Sequence, residues 1–151
     1  MGDTIFKKDA TAQGVAKQRY IESLAEPDRR VIYDPYAEYF VLGAGLIKLL
    51  GHKLSVWMTR KFARGFHEHL IARTRFIDDV VNQSAAENIE RYVILGAGYD
   101  SRPYRLDLPS RIKVFEVDQA EVQSQKRAKL PSIFKVPILS HMSVSILIAS
   151  C

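Results

Sequence analysis

Two short stretches carry residues able to hold a polar ligand: Tyr92-Val-Ile-Leu-Gly-Ala-Gly-Tyr-Asp-Ser-Arg102 and Phe115-Glu-Val-Asp118. In the first, an apolar run breaks into a turn containing Gly96 and Gly98. In the second, an apolar run ends in carboxylates. Glycine accepts positive φ and lets a ligand come within contact distance of the backbone. A carboxylate at a strand end accepts both hydroxyls of a ribose, each charged hydrogen bond contributing ~1.5–3 kcal/mol when desolvated. The layout therefore suits a nucleotide-shaped ligand lying across the ends of two adjacent parallel strands. Glu116 and Asp118 leave the same face of an extended segment, but only Asp118 lies beyond the apolar run.

Each feature has a plainer explanation beside it. A tight strand-to-helix turn accounts for the glycines equally well, and Ser101 stands where the dinucleotide fingerprint has its third glycine. Asp118 precedes a polar helix and is also placed to cap it. Asp100 is a ligand-facing candidate, with a cap on the turn after Gly98 as the favoured alternative. Arg73 and Arg75 could hold a ligand carboxylate with a guanidinium fork; a solvated surface arginine is the alternative for each. His67-Glu68-His69 is no zinc motif, because histidines two apart point to different helix faces. No metal site is expected. No Ser/His/Asp or Cys/His set stands out, so no catalytic residue is named.

The elements that must position these groups follow from periodicity. Residues 1–12 read as frayed, and Ala16 to Leu24 as a helix ended by Pro27 and Asp28. Tyr33-Asp-Pro-Tyr36 reads as a turn, since the residue before proline is pushed out of the α region. Tyr36 to Leu50 reads as a helix weakened by Gly43 and Gly45 and closed by Gly51. Val41 to Leu54 is a buried or lid-like part of that region. Ser55 to Gln83 gives the strongest helical pattern: Ser55 as cap, then Met58, Phe62, Phe66, Leu70, Ile77 and Val81 along one stripe. Tyr92 to Leu95 suits a central parallel strand and Ile112 to Val117 a second. Asp100 to Leu108 reads as one helical turn plus loop, and Gln119 to Leu130 as a polar helix with Val122 inward. Phe134 to Leu139 is a candidate third strand, away from the sheet centre because of Pro137, and Ser143 to Ala149 a fourth strand or tail.

The 151 residues suffice for one modest core. The net charge of +5 is spread among interleaved acids, and the densest basic cluster, Arg60 to Arg75, lacks the alternating aromatics of a nucleic-acid module. Neither nucleic acid nor membrane is an expected partner, since no signal-like start and no run of ~18 apolar residues is present. The single cysteine, Cys151, forms no intrachain disulfide, which fits a reducing, cytoplasmic setting.

Taken together, Leu95-Gly-Ala-Gly-Tyr-Asp-Ser-Arg-Pro-Tyr-Arg-Leu106 and Val114-Phe-Glu-Val-Asp-Gln119 resemble the leucine carboxyl methyltransferase-like S-adenosylmethionine-dependent methyltransferases. Asp34-Pro-Tyr-Ala-Glu-Tyr-Phe40 and Ile71-Ala-Arg-Thr-Arg-Phe-Ile-Asp-Asp79 also resemble that family, best in a group from actinobacteria. The likeness spans most of residues 10–131. It implies an α/β, Rossmann-like methyltransferase fold in which N-terminal helices precede a partial parallel sheet. The expected division is a helical cap over 1–90, a partial S-adenosylmethionine-binding domain over 91–140 and a divergent tail over 141–151. By resemblance Gly96 lies on the cofactor, Asp118 binds its ribose and Arg73 reaches its methionine carboxylate; Gly98 and Asp100 are cofactor-binding candidates from their place in the turn. A family lysine near the N-terminus has Lys17 as its nearest counterpart, the alignment being ambiguous with Gln18 and Arg19.

Where the family's acceptor is known it is a carboxylate, giving a methyl ester. Displacement at a sulfonium needs no acid, because the leaving sulfur becomes neutral, and an ionised carboxylate needs no base. Positioning and exclusion of water then carry the catalysis. After Leu130-Pro131 the family continues through a third strand, an Asp-Leu pair at the adenine, further strands and the acceptor site. Here Phe134-Lys-Val-Pro137 still follows the third strand, whereas 141–151 departs. The expectation is a truncated or frame-shifted form, inactive alone, with an exposed sheet edge open to self-association. The alternatives are a non-enzymatic interaction module and a nicotinamide-dependent oxidoreductase fragment.

Overall fold

The computed structural model describes residues 3–131, 138–139 and 144–149, with side-chain surroundings over 11–131. The chain forms two compact units, Met1–Asp79 and Val80–Cys151.

The first unit holds α1 (Asp3–Ser23), α2 (Ala37–Phe40), α3 (Ala44–Phe62) and most of α4 (Phe66–Ala86). Helix α1 begins at Asp3, not after the expected frayed stretch, because no proline and only one glycine interrupt Asp3–Ser23. Its inner face buries Ala16, Tyr20 and Ile21, and α1 packs against α2 and α3. Phe40, Ile47, Val56, Leu70 and Ile71 complete the apolar interior of this unit.

The Asp34-Pro35 turn is tied to α1 by polar contacts inside that core. Oδ2 of Asp34 accepts from Arg19 Nε at 2.8 Å, and both side chains are buried. Oδ1 accepts the N–H groups of Tyr36 and Ala37, each at 3.1 Å, and so serves the exposed donors that open α2. The Asp34 N–H donates to Ser23 Oγ at 2.8 Å.

Other expected helix boundaries differ as well. The pattern over Ser55–Gln83 is broken into α3 and α4 at Gly65, whose φ of +74° is a left-handed conformation that interrupts helical hydrogen bonding. The apolar stripe restarts out of phase across that break: Leu70 and Val81 are buried, whereas Met58, Phe66 and above all Phe62 (89% exposed) are not. Ser55 is a buried residue inside α3, not its cap. Likewise the segment Tyr36–Leu50 divides into α2 and α3, and Gly51 kinks α3 without ending it.

The second unit holds the end of α4, β1 (Arg91–Leu95), α5 (Arg102–Arg105), β2 (Lys113–Gln119), α6 (Ala120–Lys129), β3 (Ile138–Leu139) and β4 (Val144–Ala149). β1 and β2 are parallel, with Leu95 opposite Val117, and the single turn α5 lies between them in sequence. This strand–crossover–strand unit after N-terminal helices is the Rossmann-like α/β arrangement expected. The described sheet has the order β1-β2-β4-β3, with β4 antiparallel to both β2 and β3. The stretch expected as a fourth strand therefore pairs directly with β2. Of the expected third strand only Ile138 and Leu139 are described; Phe134 to Pro137 lie outside the described residues.

The β1 run is not buried throughout: Ile94 is, while Val93 and Leu95, which share the opposite face, are exposed. On α6, Gln123 and Lys126 are fully buried and Val122 only partly, a reversal of the expected inward face. Its cause is Glu116 on β2, which demands a polar partner.

Asp34→Ala removes the carboxylate from buried Arg19 and the acceptor from two N–H groups. The expected loss is about 3–5 kcal/mol of unfolding free energy, the usual cost of breaking a buried ion pair. Urea titration followed by circular dichroism checks it; a loss under ~1 kcal/mol would contradict the assigned role.

Candidate functional site

Because Leu95 and Val117 are register partners, β1 and β2 release the chain side by side. The turn after β1 is drawn onto the end of β2. The N–H groups of Gly96 and Ala97 both donate to Val117 O, at 2.8 and 3.2 Å. The next one, of Gly98, donates to Asp118 Oδ2 at 2.6 Å. Three consecutive donors are thereby satisfied by the neighbouring strand. This path needs φ of +63° at Gly96 and +46° at Gly98, which explains the glycines. Crowding does not explain Gly96: among the described residues a Cβ there would meet no atom within 4 Å, so none of them fills the space in front of it.

Asp118 is half-buried at the end of β2. Its Oδ1 accepts the Gln119 N–H at 2.7 Å, while Gln119 holds the N-cap position of α6 without a side-chain cap bond. A carboxylate has about four acceptor sites. The bonds to Gly98 and Gln119 fix its orientation and leave capacity for hydroxyl donors. The loop tie is present, whereas the capping role considered for Asp118 is not: Gln119 is the N-cap, and at the helix start Asp118 bonds only the N–H of that residue.

The other sequence candidates divide. Asp100 takes the capping role: Oδ1 accepts the Arg102 N–H at 2.9 Å and Oδ2 pairs with the Arg102 guanidinium. Tyr99, Ser101 and Arg102 are buried, so the continuation of the glycine turn braces the second unit internally. Arg73 and Lys17 belong to the first unit, and both are exposed. Arg75 pairs with Asp79 at 2.9 and 3.0 Å. Of the residues adjoining Lys17, Gln18 and Arg19 are buried and bonded to His67 and Asp34 respectively.

Sequence reasoning missed two groupings. The first is behind Asp118: Glu116 and Lys126 are fully buried and paired at 2.6 Å. Burial pushes the Glu116 carboxyl above the ordinary range, and the Lys126 ammonium works against that rise. Oε2 of Glu116 and the amide of Gln123 have no hydrogen-bond partner among the described residues. A carboxylate in the middle of an apolar strand was the available signal, since a buried charge calls for a cation. The second grouping joins His67 to Glu22 and His52, residues distant in sequence. Burial acts to raise the Glu22 carboxyl, but hydrogen bonds from His67 and the Val31 N–H, with the nearby imidazoles, hold it below the ordinary range.

Lys126→Met strands Glu116 without its cation. The expected cost is about 3–5 kcal/mol near pH 7. Without Lys126 the folded state keeps Glu116 protonated above the ordinary carboxylate value of about 4.3, so stability falls as pH rises through that value. The deficit against the unaltered chain is thus smallest near pH 4 and grows toward neutrality. Urea unfolding at several pH values checks this; a pH-independent deficit would contradict it.

Comparison with known proteins identifies the family. The sequence pattern of the family "Leucine carboxyl methyltransferase" matches residues 12–146, past the Pro131 limit of the motifs and into β4. A protein of Mycolicibacterium gilvum, named "Putative S-adenosyl-L-methionine-dependent methyltransferase", is 34% identical over 152 residues, covering 91% of this chain and 47% of its own. A protein of the same name from Mycolicibacterium vanbaalenii is 38% identical over 147 residues, with 91% and 47% covered. A similarly named Streptomyces avermitilis protein is 35% identical over 111 residues, with 74% and 38% covered. The chain spans about half the length of these curated relatives, or less. With a family match across most of its residues and the glycine turn bonded to the strand-end acid, the chain belongs to the leucine carboxyl methyltransferase family.

Proposed function

We propose that the second unit carries the ribose-binding part of an S-adenosyl-L-methionine site, and that the activity served is methyl transfer to a carboxylate oxygen. The observation that carries the reading is the 2.6 Å bond from the Gly98 N–H to Asp118 Oδ2, which holds the acid beside the open backbone of Gly96. The donor set fits an adenosyl group: an oriented carboxylate for two hydroxyls and a strand-end turn with room before it. When bound, the cofactor supplies an electrophilic methyl group whose departure leaves a neutral sulfur.

The chain's own residues bind and orient. Asp118 accepts the ribose hydroxyls, and Gly96 admits close approach. Asp100 keeps the turn in shape through Arg102. Arg73 for the methionine carboxylate and Lys17 for a further cofactor contact are supported by family likeness and by their exposure. Arg73 makes no ion pair among the described residues, whereas Arg75 is committed to Asp79. A base or acid is not required when the acceptor is an ionised carboxylate, so the site does not depend on a titrating catalytic group. Because the chain spans about half the length of its relatives, this reading assigns it cofactor binding and does not assign it turnover alone. Family membership favours this reading over a nicotinamide-dependent one.

Titration calorimetry with S-adenosylhomocysteine tests the assignment. Asp118→Ala is expected to weaken binding at least tenfold, as the loss of charged hydrogen bonds implies. Asp107→Ala, an exposed acid in the same unit, is expected to bind as the unaltered chain does. Equal affinity in the Asp118 variant and the unaltered chain, or no binding by either, would overturn the assignment.

A further inference from the structure

Glu22 on α1, His52 on α3 and His67 on α4 converge within the first unit. One ligand atom from each lies within 4.8 Å of the other two. Glu22 Oε2 is 3.1 Å from His67 Nε2 and 3.4 Å from His52 Nε2. Tetrahedral coordination at 2.0–2.1 Å places neighbouring ligand atoms about 3.3–3.4 Å apart, close to both distances.

The surrounding contacts aim these atoms at a common point. His67 Nδ1 lies 2.9 Å from Gln18 Oε1. With that amide oxygen accepting, Nδ1 carries a hydrogen, and Nε2, which donates to Glu22 Oε2 in the metal-free chain, is the nitrogen that exchanges its proton for an ion. An imidazole held by a carbonyl on its other nitrogen is the usual support of a metal-binding histidine. Glu22 is oriented by the Val31 N–H, which donates to Oε1 at 2.7 Å. His52 Nε2 is close enough to Glu22 for an ion pair, yet its buried nitrogen has no hydrogen-bond partner among the described residues. A proton on one ring satisfies one nitrogen–oxygen line. A metal ion satisfies all three atoms together.

The group borders a cavity of about 290 Å³, also lined by Arg29 and Arg60. Two imidazoles and a carboxylate, with an open side, suit a four-coordinate ion that keeps one exchangeable ligand. Nitrogen donors disfavour Mg²⁺ and Ca²⁺, which take oxygen shells. The sequence hides the site, because its ligands come from three separate helices and His69, the nearest histidine to His67 in sequence, is exposed.

We propose that Glu22, His52 and His67 bind one divalent transition-metal ion of the zinc class, tying α1, α3 and α4 together. Binding to the folded state alone raises its stability.

The test uses the full chain after dialysis against a chelator. Calorimetry with Zn²⁺ is expected to show one site per chain, Mg²⁺ none, and Co²⁺ the intense visible bands of tetrahedral coordination. His52→Ala, at a partly exposed position, is expected to weaken Zn²⁺ binding at least tenfold while the far-ultraviolet circular dichroism of the chain stays unchanged. His69→Ala and Cys151→Ser are expected to leave it unchanged. Histidine-ring NMR of the unaltered chain gives a second readout: Zn²⁺ shifts His52 and His67 but not His69. Absent Zn²⁺ binding, binding indifferent to His52→Ala, binding lost with Cys151→Ser, or unmoved His52 and His67 rings would each overturn the proposal.

Discussion

Where β1 ends, three successive backbone N–H groups need acceptors, and a tight turn cannot supply them from within itself. The end of β2 supplies all three: Val117 O takes those of Gly96 and Ala97, and Asp118 takes that of Gly98. This constraint explains several features at once. It requires positive φ at Gly96 and Gly98. It requires β2 to run parallel and in register with β1, so that both strands end together. It also fixes the direction of the Asp118 carboxylate, since an acid bonded to a backbone donor has lost most of its rotameric freedom. The proposed ribose contact is then made by a group held in place before any ligand arrives, which lowers the cost of binding.

Buried polar groups organise both units around their apolar cores. In the first, Arg19 and Asp34 fasten the Asp-Pro turn to α1. In the second, Glu116 and Lys126 lie directly behind the strand end that carries Asp118. Such pairs add little net stability over apolar residues of similar volume, but breaking one leaves a desolvated charge. They therefore penalise alternative packings, and the Glu116–Lys126 pair sets how α6 lies on β2. This connects the polar composition of α6 to the geometry of the candidate site.

The parts of this architecture legible in the sequence were those set by local chemistry. The glycine turn, the strand-end acid, the single turn at Arg102–Arg105 and the Asp34-Pro35 turn each announce themselves by residue type. Helix boundaries were less legible, because apolar spacing continues through Gly65 even though the backbone there does not. The inward side of α6 was misread from Val122, since hydrophobicity cannot show that a lysine is needed to neutralise a carboxylate on the preceding strand. The antiparallel arrival of β4 beside β2 is a long-range pairing that no local pattern encodes. The Glu22–His52–His67 grouping escaped for the same reason: the local pattern sets His67 only against its sequence neighbour His69, while Glu22 and His52 lie on other helices.

The central claim is that the 96–98 turn and Asp118 form one face that receives an adenosyl group. Amide NMR of the full chain during titration with S-adenosylhomocysteine tests it most directly. The account predicts saturable shifts concentrated at Gly96, Ala97, Gly98, Asp118 and Gln119, with the Gly98 amide, already bonded to the acid, slow to exchange with solvent before ligand is added. Shifts that leave these five amides unmoved, or a Gly98 amide that exchanges as freely as an unstructured one, would contradict it.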